Sequence, residues 1–178
     1  MIANVRRLTL LVFVALATLV GVVVCQGPTS TKGTVYADSC LMPSEFQLRG
    51  VELHGDGEGA VEHLGKAFRV KSDSGEDDGG RYERRTYYYR GIEFVVVRGM
   101  VDQVATRART TATPSGLRPG LDREAVRRLL TSSGVTFKQA GDTLAIGACS
   151  PEGQVSEDVM ILTFDRTGRV QKVSISGP

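Results

Sequence analysis

Two stretches of the chain repeat one order of residues, and this repetition is the feature that most constrains the fold. The stretches GVELHGDGEGAVEHLG (residues 50–65) and GLRPGLDREAVRRLL (residues 116–130) match at five features. Each has a first glycine (Gly50, Gly116), a second glycine after a short connection (Gly55, Gly120), then an acidic residue, an Ala-Val pair and a leucine one helical turn later. Each is followed by an apolar run with a phenylalanine, a glycine and a Val-x-x-Val step, IEFVVVRGMVDQV (92–104) and LTFDRTGRVQKV (162–173). The copies lie about 65 to 70 residues apart, longer than a solenoid repeat, so the sequence predicts a tandem duplication of a small domain.

Each copy is predicted to form one helix followed by an antiparallel meander. The first helix is expected near residues 57–64, and the second begins at the N-cap residue Asp122 and ends at Gly134. A strand is expected within residues 45–53 as the lead into the first copy. Further strands are predicted over residues 68–71, 83–90, 92–98 and 100–107 in the first copy and 137–140, 143–146, 160–165 and 169–175 in the second. A helix covering one sheet face of each copy makes the predicted fold class α+β, with two tandem helix-plus-antiparallel-sheet repeats.

The first 25 residues predict export from the cytoplasm. Arg6 and Arg7 precede an uncharged stretch from Leu8 to Val24, which is typical of a secretory signal peptide or a signal anchor. Cys25 then follows where a bacterial lipoprotein carries its acylated cysteine, although Val24 is larger than the residue usual at that position. Three outcomes stay open: a lipoprotein lipidated at Cys25, an uncleaved membrane anchor, and a chain that is cleaved and released.

The other two cysteines are candidates for a disulfide. If Cys25 is lipidated or lies in the membrane, Cys40 and Cys149 remain, and an oxidising compartment favours a bond between them. The alternative is two separate free thiols.

The expected organisation is a signal peptide or anchor at 1–25, a tether rich in Gly, Ser and Thr at 26–41, repeat 1 at 42–108 and repeat 2 at 109–178. The paired glycines, the acidic helix cap, the Val-x-x-Leu helix and the Phe-Gly-Val-x-x-Val strands resemble the BamE-type (SmpA/OmlA) outer-membrane lipoproteins. In tandem they also resemble the β-lactamase inhibitor protein. The resemblance implies a BamE-like fold for each repeat and a bacterial envelope protein that binds other proteins.

Motifs for catalysis, cofactors or metals are missing from the sequence. It has no Gly-x-Ser-x-Gly, CxxC, His-Glu-x-x-His or Walker pattern, and its two histidines, His54 and His63, do not have ligand spacing. The acidic stretch from Ser72 to Gly80 offers carboxylates for calcium, but it lacks the order of a calcium loop and favours a solvated hairpin tip. Apart from Arg6 and Arg7, 20 basic residues balance 20 acidic ones, which argues against a nucleic-acid partner. We therefore expect no catalytic residues, no cofactor and no metal.

The segment RYERRTYYYR, residues 81–90, is the best candidate for a binding surface. Tyr and Arg are enriched at protein-binding hot spots, although Tyr also favours strands. A two-residue turn at Arg90-Gly91 would pair Tyr89 with Ile92 and Tyr87 with Phe94, which assigns the opposite face to a partner. The candidate partner-binding residues are Arg84, Tyr88, Arg90, Val95 and Val97.

The expected function is therefore non-enzymatic protein binding on the outer side of a bacterial membrane, as an assembly or scaffold factor. One alternative is a periplasmic inhibitor or immunity protein that blocks an enzyme. A third is a hydrolase whose site the sequence does not display.

Overall fold

The structure is a computed structural model that describes residues 33–137 and 141–178. Its strands are β1 (Thr34–Tyr36), β2 (Gln47–Leu48), β3 (Val51–Glu52), β4 (Arg69–Asp77), β5 (Gly80–Tyr89), β6 (Ile92–Val97), β7 (Met100–Thr106), β8 (Thr143–Cys149), β9 (Val155–Phe164) and β10 (Val170–Ser176). Its helices are α1 (Gly57–Leu64), α2 (Arg123–Ser132) and a 3₁₀ turn at Pro43–Glu45. The predicted signal or anchor at residues 1–25 lies outside the described residues.

Eight of the strands form one mixed sheet in the order β1-β8-β9-β10-β7-β6-β5-β4. Neighbours pair antiparallel except β1, which runs parallel to β8. The remaining two strands, β2 and β3, form a small hairpin beside the main sheet.

The pairing of β7 with β10 shows that the prediction of two separate tandem repeats is wrong. Val104 of β7 lies opposite Ile175 of β10, so strands from the two halves of the chain continue one another's sheet. Two separate small sheets would leave these strands as unpaired edges, and pairing them satisfies both rows of backbone hydrogen-bonding groups. The chain therefore forms one α+β layer pair, with one eight-stranded main sheet and with both described helices on one face.

Similar local structure at the two helix starts accounts for the repeated sequence pattern. Asp56 caps α1 by accepting hydrogen bonds from the amides of Glu58 and Gly59, and Asp122 caps α2 by accepting from the amide of Ala125. Asp56 also forms a β-bridge with Met100 and Asp122 one with Arg169, at the starts of β7 and β10. The repeated residues thus fasten each helix to the sheet, and they do not mark independent folds.

The core lies between one face of the sheet and the elements that cover it. Alternate residues of the central strands point into this layer, among them Phe94, Val104, Ile175 and Met160, which face one another across four strands and are fully buried. The covering side chains come from α1, α2, the β2–β3 hairpin and the loops beside them, and include Ala60, Val126, Leu130, Leu48, Val51, Phe46 and Leu117.

Two stretches differ from their predicted structure. The strand expected within 45–53 is broken by a turn at Arg49-Gly50, where both residues take positive φ angles, 53° and 77°. The acidic stretch expected as a hairpin tip mostly continues β4 as far as Asp77, because its backbone pairs with β5. The end of the predicted tether also carries structure, since β1 begins at Thr34 and Leu41 is buried.

Candidate functional site: the open face of the sheet

The face of the sheet that points away from the helices is open in the described part of the chain. The two helices and the β2–β3 hairpin contribute to a core on the opposite face. We call this surface the open face. One row of residues crosses all eight strands of it: Arg69, Tyr88, Glu93, Ala105, Ser174, Ile161, Ala145 and Tyr36, from β4 to β1.

Side-chain size changes along this row. Its middle is mostly made of small residues, Ala105, Ser174 and Ala145, and the next row adds Gly147 and Ser176. Tyr88 and Tyr36 stand on either side of this middle, and Tyr36 is 72% exposed. Ala105 and Ala145 are only 1% and 3% exposed, so larger neighbours shield the middle of the row. What the face offers a partner is therefore mainly the aromatic rings on either side.

The predicted pairing between β5 and β6 agrees with the structure. Tyr89 lies opposite Ile92, Tyr87 opposite Phe94 and Arg85 opposite Val96. Tyr87 and Tyr89 stack on Phe94 in the core, with ring centroids 5.1 and 5.8 Å from it. Because neighbouring residues of a strand point to opposite faces, Tyr88 lies on the open face.

Four of the five predicted partner-binding residues belong to the open face, and the fifth lies at its end. Arg84 lies opposite Val97 on the neighbouring strand. Val95 lies opposite Thr86, and Tyr88 is the next residue of β5 on the same face, opposite Glu93. Arg84, Tyr88 and Val97 are each partly exposed, and Arg90 is exposed in the turn after β5. Whether they contact a partner remains a prediction.

Val95 differs from the expectation of an exposed valine. Only 6% of its surface is exposed, although it does not belong to the core under the helices. It lies between Thr86 on β5 and Gln103 on β7, in the interior of the sheet rather than at an edge. Side chains on both neighbouring strands therefore shield it, and it offers little area to a partner.

Tyr88 belongs to a small aromatic and cationic group at the β4 side. The guanidinium carbon of Arg69 lies 5.4 Å from the centre of the Tyr88 ring, within range of a cation–π contact. The ring of Phe68 lies 6.4 Å away, and 73% of Phe68 is exposed. An aromatic ring this exposed beside a second ring and a cation has the composition of a hot spot.

Ion pairs at the β4–β5 hairpin order the border of this surface. Arg98 donates to both carboxylate oxygens of Asp77, at 2.6 and 3.0 Å. This hydrogen bonding lowers the pKa of the Asp77 carboxyl below its ordinary value of 3.8. Arg85 donates to Glu83 at 2.6 Å and lowers the pKa of that carboxyl for the same reason.

The cysteines lie at the opposite edge of the sheet. A disulfide joins Cys40, which follows β1, to Cys149 at the end of β8, with Cα atoms 5.0 Å apart. It fastens the segment that enters the fold to the sheet. The lipidation candidate Cys25 lies outside the described residues.

The histidines lie apart from each other. His54 Nε2 contacts Asp158 Oδ1 at 2.8 Å, and His63 Nε2 contacts the backbone oxygen of Arg49 at 3.1 Å. In residues 33–137 and 141–178 there is no group of three or more His, Cys, Asp or Glu side chains arranged to hold a metal ion. Neither helix of that same part of the chain is long and apolar enough to span a membrane.

Sequence reasoning missed Tyr36 and Phe68 as members of the surface. Tyr36 falls in a stretch expected to be a tether, and only its pairing with Ala145 on β8 brings it to the open face. The sequence predicts a strand at residues 68–71 but assigns no face to Phe68. For Tyr36 the sequence signal was a large aromatic residue with polar residues at the alternating positions, Thr34 and Asp38. Phe68 has Val70 at one such position and carries no such signal.

No protein-family model matches the chain, and no curated protein matches it. An extracellular protein containing an SCP domain from Bacillus anthracis str. Ames is similar in structure, with a TM-score of 0.45 and 17% identity over 70% of this chain and 44% of that one. A cysteine-rich secretory protein from Staphylococcus aureus subsp. aureus Mu50 has a TM-score of 0.47 and 14% identity over 82% and 50%. The uncharacterized protein yfeY from Escherichia coli has a TM-score of 0.38 and 11% identity over 82% and 99%.

The sheet topology corrects the predicted family. The chain spans about half the length or less of the two SCP-type and secretory proteins. Two tandem BamE-type units would have two separate sheets, and the continuous eight-stranded sheet makes that prediction wrong. The repeated glycines and apolar residues reflect helix docking and turns, which many folds share.

Proposed function

We propose that this chain is an exported, membrane-tethered module of the bacterial envelope that binds another protein through the open face of its sheet. The observation that carries the proposal is the face itself, with small side chains in its middle and Tyr88 and Tyr36 on either side. Sheet faces in monomers are usually covered or strongly polar, so an open face with exposed aromatic rings favours an interface. We infer a non-enzymatic role in assembly or scaffolding.

Two features support a position outside the cytoplasm. The basic and then uncharged stretch at residues 1–25 has the order of an export signal. The Cys40–Cys149 disulfide favours an oxidising compartment, because cytosolic thiols are kept reduced. Attachment through Cys25 or through an uncleaved anchor is part of the proposal, and mass spectrometry of the mature N-terminus distinguishes the two.

The binding prediction uses neighbouring tyrosines on opposite faces. The full chain is used to capture partners from solubilised envelope, and the partner's affinity is then measured for each variant. Tyr88→Ala and Arg84→Ala should each weaken binding by about 2 kcal/mol or more if they are hot spots, with stability little changed. Tyr87→Ala is the matched control: it removes a ring stacked on Phe94 and should lower stability instead.

Two results would contradict the proposal or redirect it. Equal affinity of wild type, Tyr88→Ala and Arg84→Ala for the captured protein would place the interface elsewhere. Capture of a single toxic enzyme, rather than an envelope complex, would favour an inhibitor or immunity protein over a scaffold factor.

A further inference from the structure

Two hairpin turns with an arginine in first position meet at one corner of the fold. Arg49-Gly50 joins β2 to β3, and Arg90-Gly91 joins β5 to β6. The Nη1 atom of Arg49 donates a hydrogen bond to the backbone oxygen of Arg90, at 3.1 Å across 41 residues of sequence. The fold therefore brings the Arg49 guanidinium to the backbone of the second arginine turn, from a distant part of the chain.

These turns border a cavity of about 560 Å³. It is lined by three cationic side chains and three largely apolar ones, Arg49, Lys66, Arg90, Leu64, Phe68 and Tyr89, with no carboxylate among them. This volume is within the usual range of small-ligand sites, roughly 300–1,000 Å³. We call it the corner cavity.

The three cations of the corner cavity have no carboxylate partner in the part of the chain that the structure describes. The arginines and lysines that form ion pairs within the described residues are others: Arg85, Arg98, Arg128, Lys71 and Lys172. Three like charges around one space repel each other, and an anion between them would relieve that repulsion.

Backbone contacts hold the lining in place. His63 contacts the backbone oxygen of Arg49 at 3.1 Å, and Arg49 itself has a φ of 53°, which is unusual for a residue with a side chain. The Tyr89 hydroxyl donates to the backbone oxygen of Gly65 at 2.9 Å, which fixes the ring beside the cavity. These contacts hold Arg49 and Tyr89 before a ligand arrives, whereas the exposed side chains of Lys66 and Arg90 would be ordered by the ligand.

We propose that the corner cavity binds an organic anion, with its carboxylate or phosphate between Arg49, Arg90 and Lys66 and its apolar part against Phe68 and Tyr89. The planar fork of each guanidinium suits both oxyanions, and Lys66 adds a third positive charge. Phe68, 73% exposed, supplies a face that an apolar group would cover. The anion has two possible sources, a free small molecule or an acidic and an aromatic side chain of another protein, and both present the same chemistry.

The experiment uses the full chain in nanodiscs of neutral phosphatidylcholine, with binding measured by isothermal titration calorimetry. Phenyl phosphate tests the free small molecule, and an N-acetylated, C-amidated Phe-Asp dipeptide tests the protein source. Inorganic phosphate and phenol, each holding half of the recognised chemistry, should bind more weakly than phenyl phosphate. Affinity should fall as sodium chloride is raised, since the attraction is electrostatic.

Variants distinguish this cavity from general attraction to a basic surface. Arg90→Gln and Lys66→Gln should each weaken binding about tenfold or more, because a charge-assisted hydrogen bond is lost. Arg49→Gln is a weaker test, because a substitution at this positive-φ position also acts on the backbone of the turn. Arg166→Gln removes the same charge from the exposed turn between β9 and β10 and should leave the affinity unchanged.

The two probes and the three cation variants together decide the proposal. Binding of either probe that is lost in Arg90→Gln and Lys66→Gln supports the proposal and identifies the source. Absence of binding by both probes, or equal weakening by Arg166→Gln, would overturn it. Arg90 and Phe68 also lie at the end of the open face, so the two sites adjoin. The calorimetry uses neither the envelope partner nor Tyr88, so failure of small-anion binding and failure of the protein-binding role are distinguished.

Discussion

At the scale of single residues, alternation along a strand decides what each side chain does. The three consecutive tyrosines of β5 show this: Tyr87 and Tyr89 stack on Phe94 under the helices, while Tyr88 points to the open face. The same residue type therefore serves the core twice and the candidate interface once. A composition count over this segment could not have separated the two roles.

Val126 of α2 supplies a residue-scale prediction. It is 0% exposed and packs in the core, so Val126→Asp would place a charge there with no partner. We expect the variant to be unfolded, measured by loss of near-ultraviolet circular dichroism. Val155→Asp is the control, because Val155 is 61% exposed in β9 and should tolerate the charge. A folded Val126→Asp protein would show that α2 does not close the core.

At the scale of elements, the β4–β5 hairpin is ordered by polar contacts near its tip. The described residues of β4 are mostly exposed, and its far end is fastened to the β6–β7 turn by the pair Asp77–Arg98. Charged side chains along an edge strand also discourage pairing with another chain. The acidic stretch thus fastens the edge of the sheet and discourages it from pairing with another chain.

This pair gives a prediction on pH. Hydrogen bonding from Arg98 lowers the pKa of the Asp77 carboxyl below its ordinary value of 3.8. A lowered pKa means that the pair's stabilisation is present above 3.8 and is lost as the pH falls through the folded-state pKa. Carbon-detected NMR titration should show Asp77 among the last aspartates to protonate, and Arg98→Gln should raise its midpoint. An unchanged midpoint in Arg98→Gln would assign the shift to another cause.

The sequence predicted individual elements better than it predicted how long they are. Asp122 predicted the start of α2, because capping is a contact within three residues, and the repeated order of residues predicted α1 at 57–64, where Asp56 is the cap. Arg90-Gly91 predicted the register of β5 and β6 because a tight turn sets the pairing of the strands it joins. The extension of β4 to Asp77 was missed, since pairing with β5 overrides the low strand preference of Ser, Asp and Gly there.

At the scale of the whole molecule, the disulfide closes a loop that holds more than half of the chain. Cys40 and Cys149 are 109 residues apart, and a crosslink over such a loop stabilises by about 4–5 kcal/mol in the chain-entropy description. Cys40→Ser combined with Cys149→Ser should therefore lower the free energy of unfolding by that order in urea titrations. The same double variant should be insensitive to dithiothreitol, whereas wild type should lose stability on reduction. A wild-type protein that is indifferent to dithiothreitol would show that the bond contributes nothing.

The continuous sheet gives a second prediction at this scale. Because β7 pairs with β10, separating the chain between residues 108 and 109 exposes one edge on each fragment and divides the core. We expect neither 33–108 nor 109–178 to fold alone, measured by dispersion of amide signals in NMR spectra. Fluorescence and circular dichroism should report one coincident unfolding transition for the intact chain. A well-dispersed spectrum from either fragment would restore the idea of two independent repeats.

The sequence by itself determined the local features of this protein: the caps of both helices, the turn at Arg90-Gly91, and which side chains of β5 and β6 share a face. Each depends on contacts between residues close in the chain. Only the tertiary structure decided that β7 joins β10, that Val95 is shielded inside the sheet, and that Arg49 meets Arg90 at the corner cavity. The physical reason is that pairing between distant strands is chosen among many registers of similar local energy. The native pairing of β7 with β10 is favoured because the complete fold then buries its apolar surface and hydrogen-bonds its backbone groups at the same time.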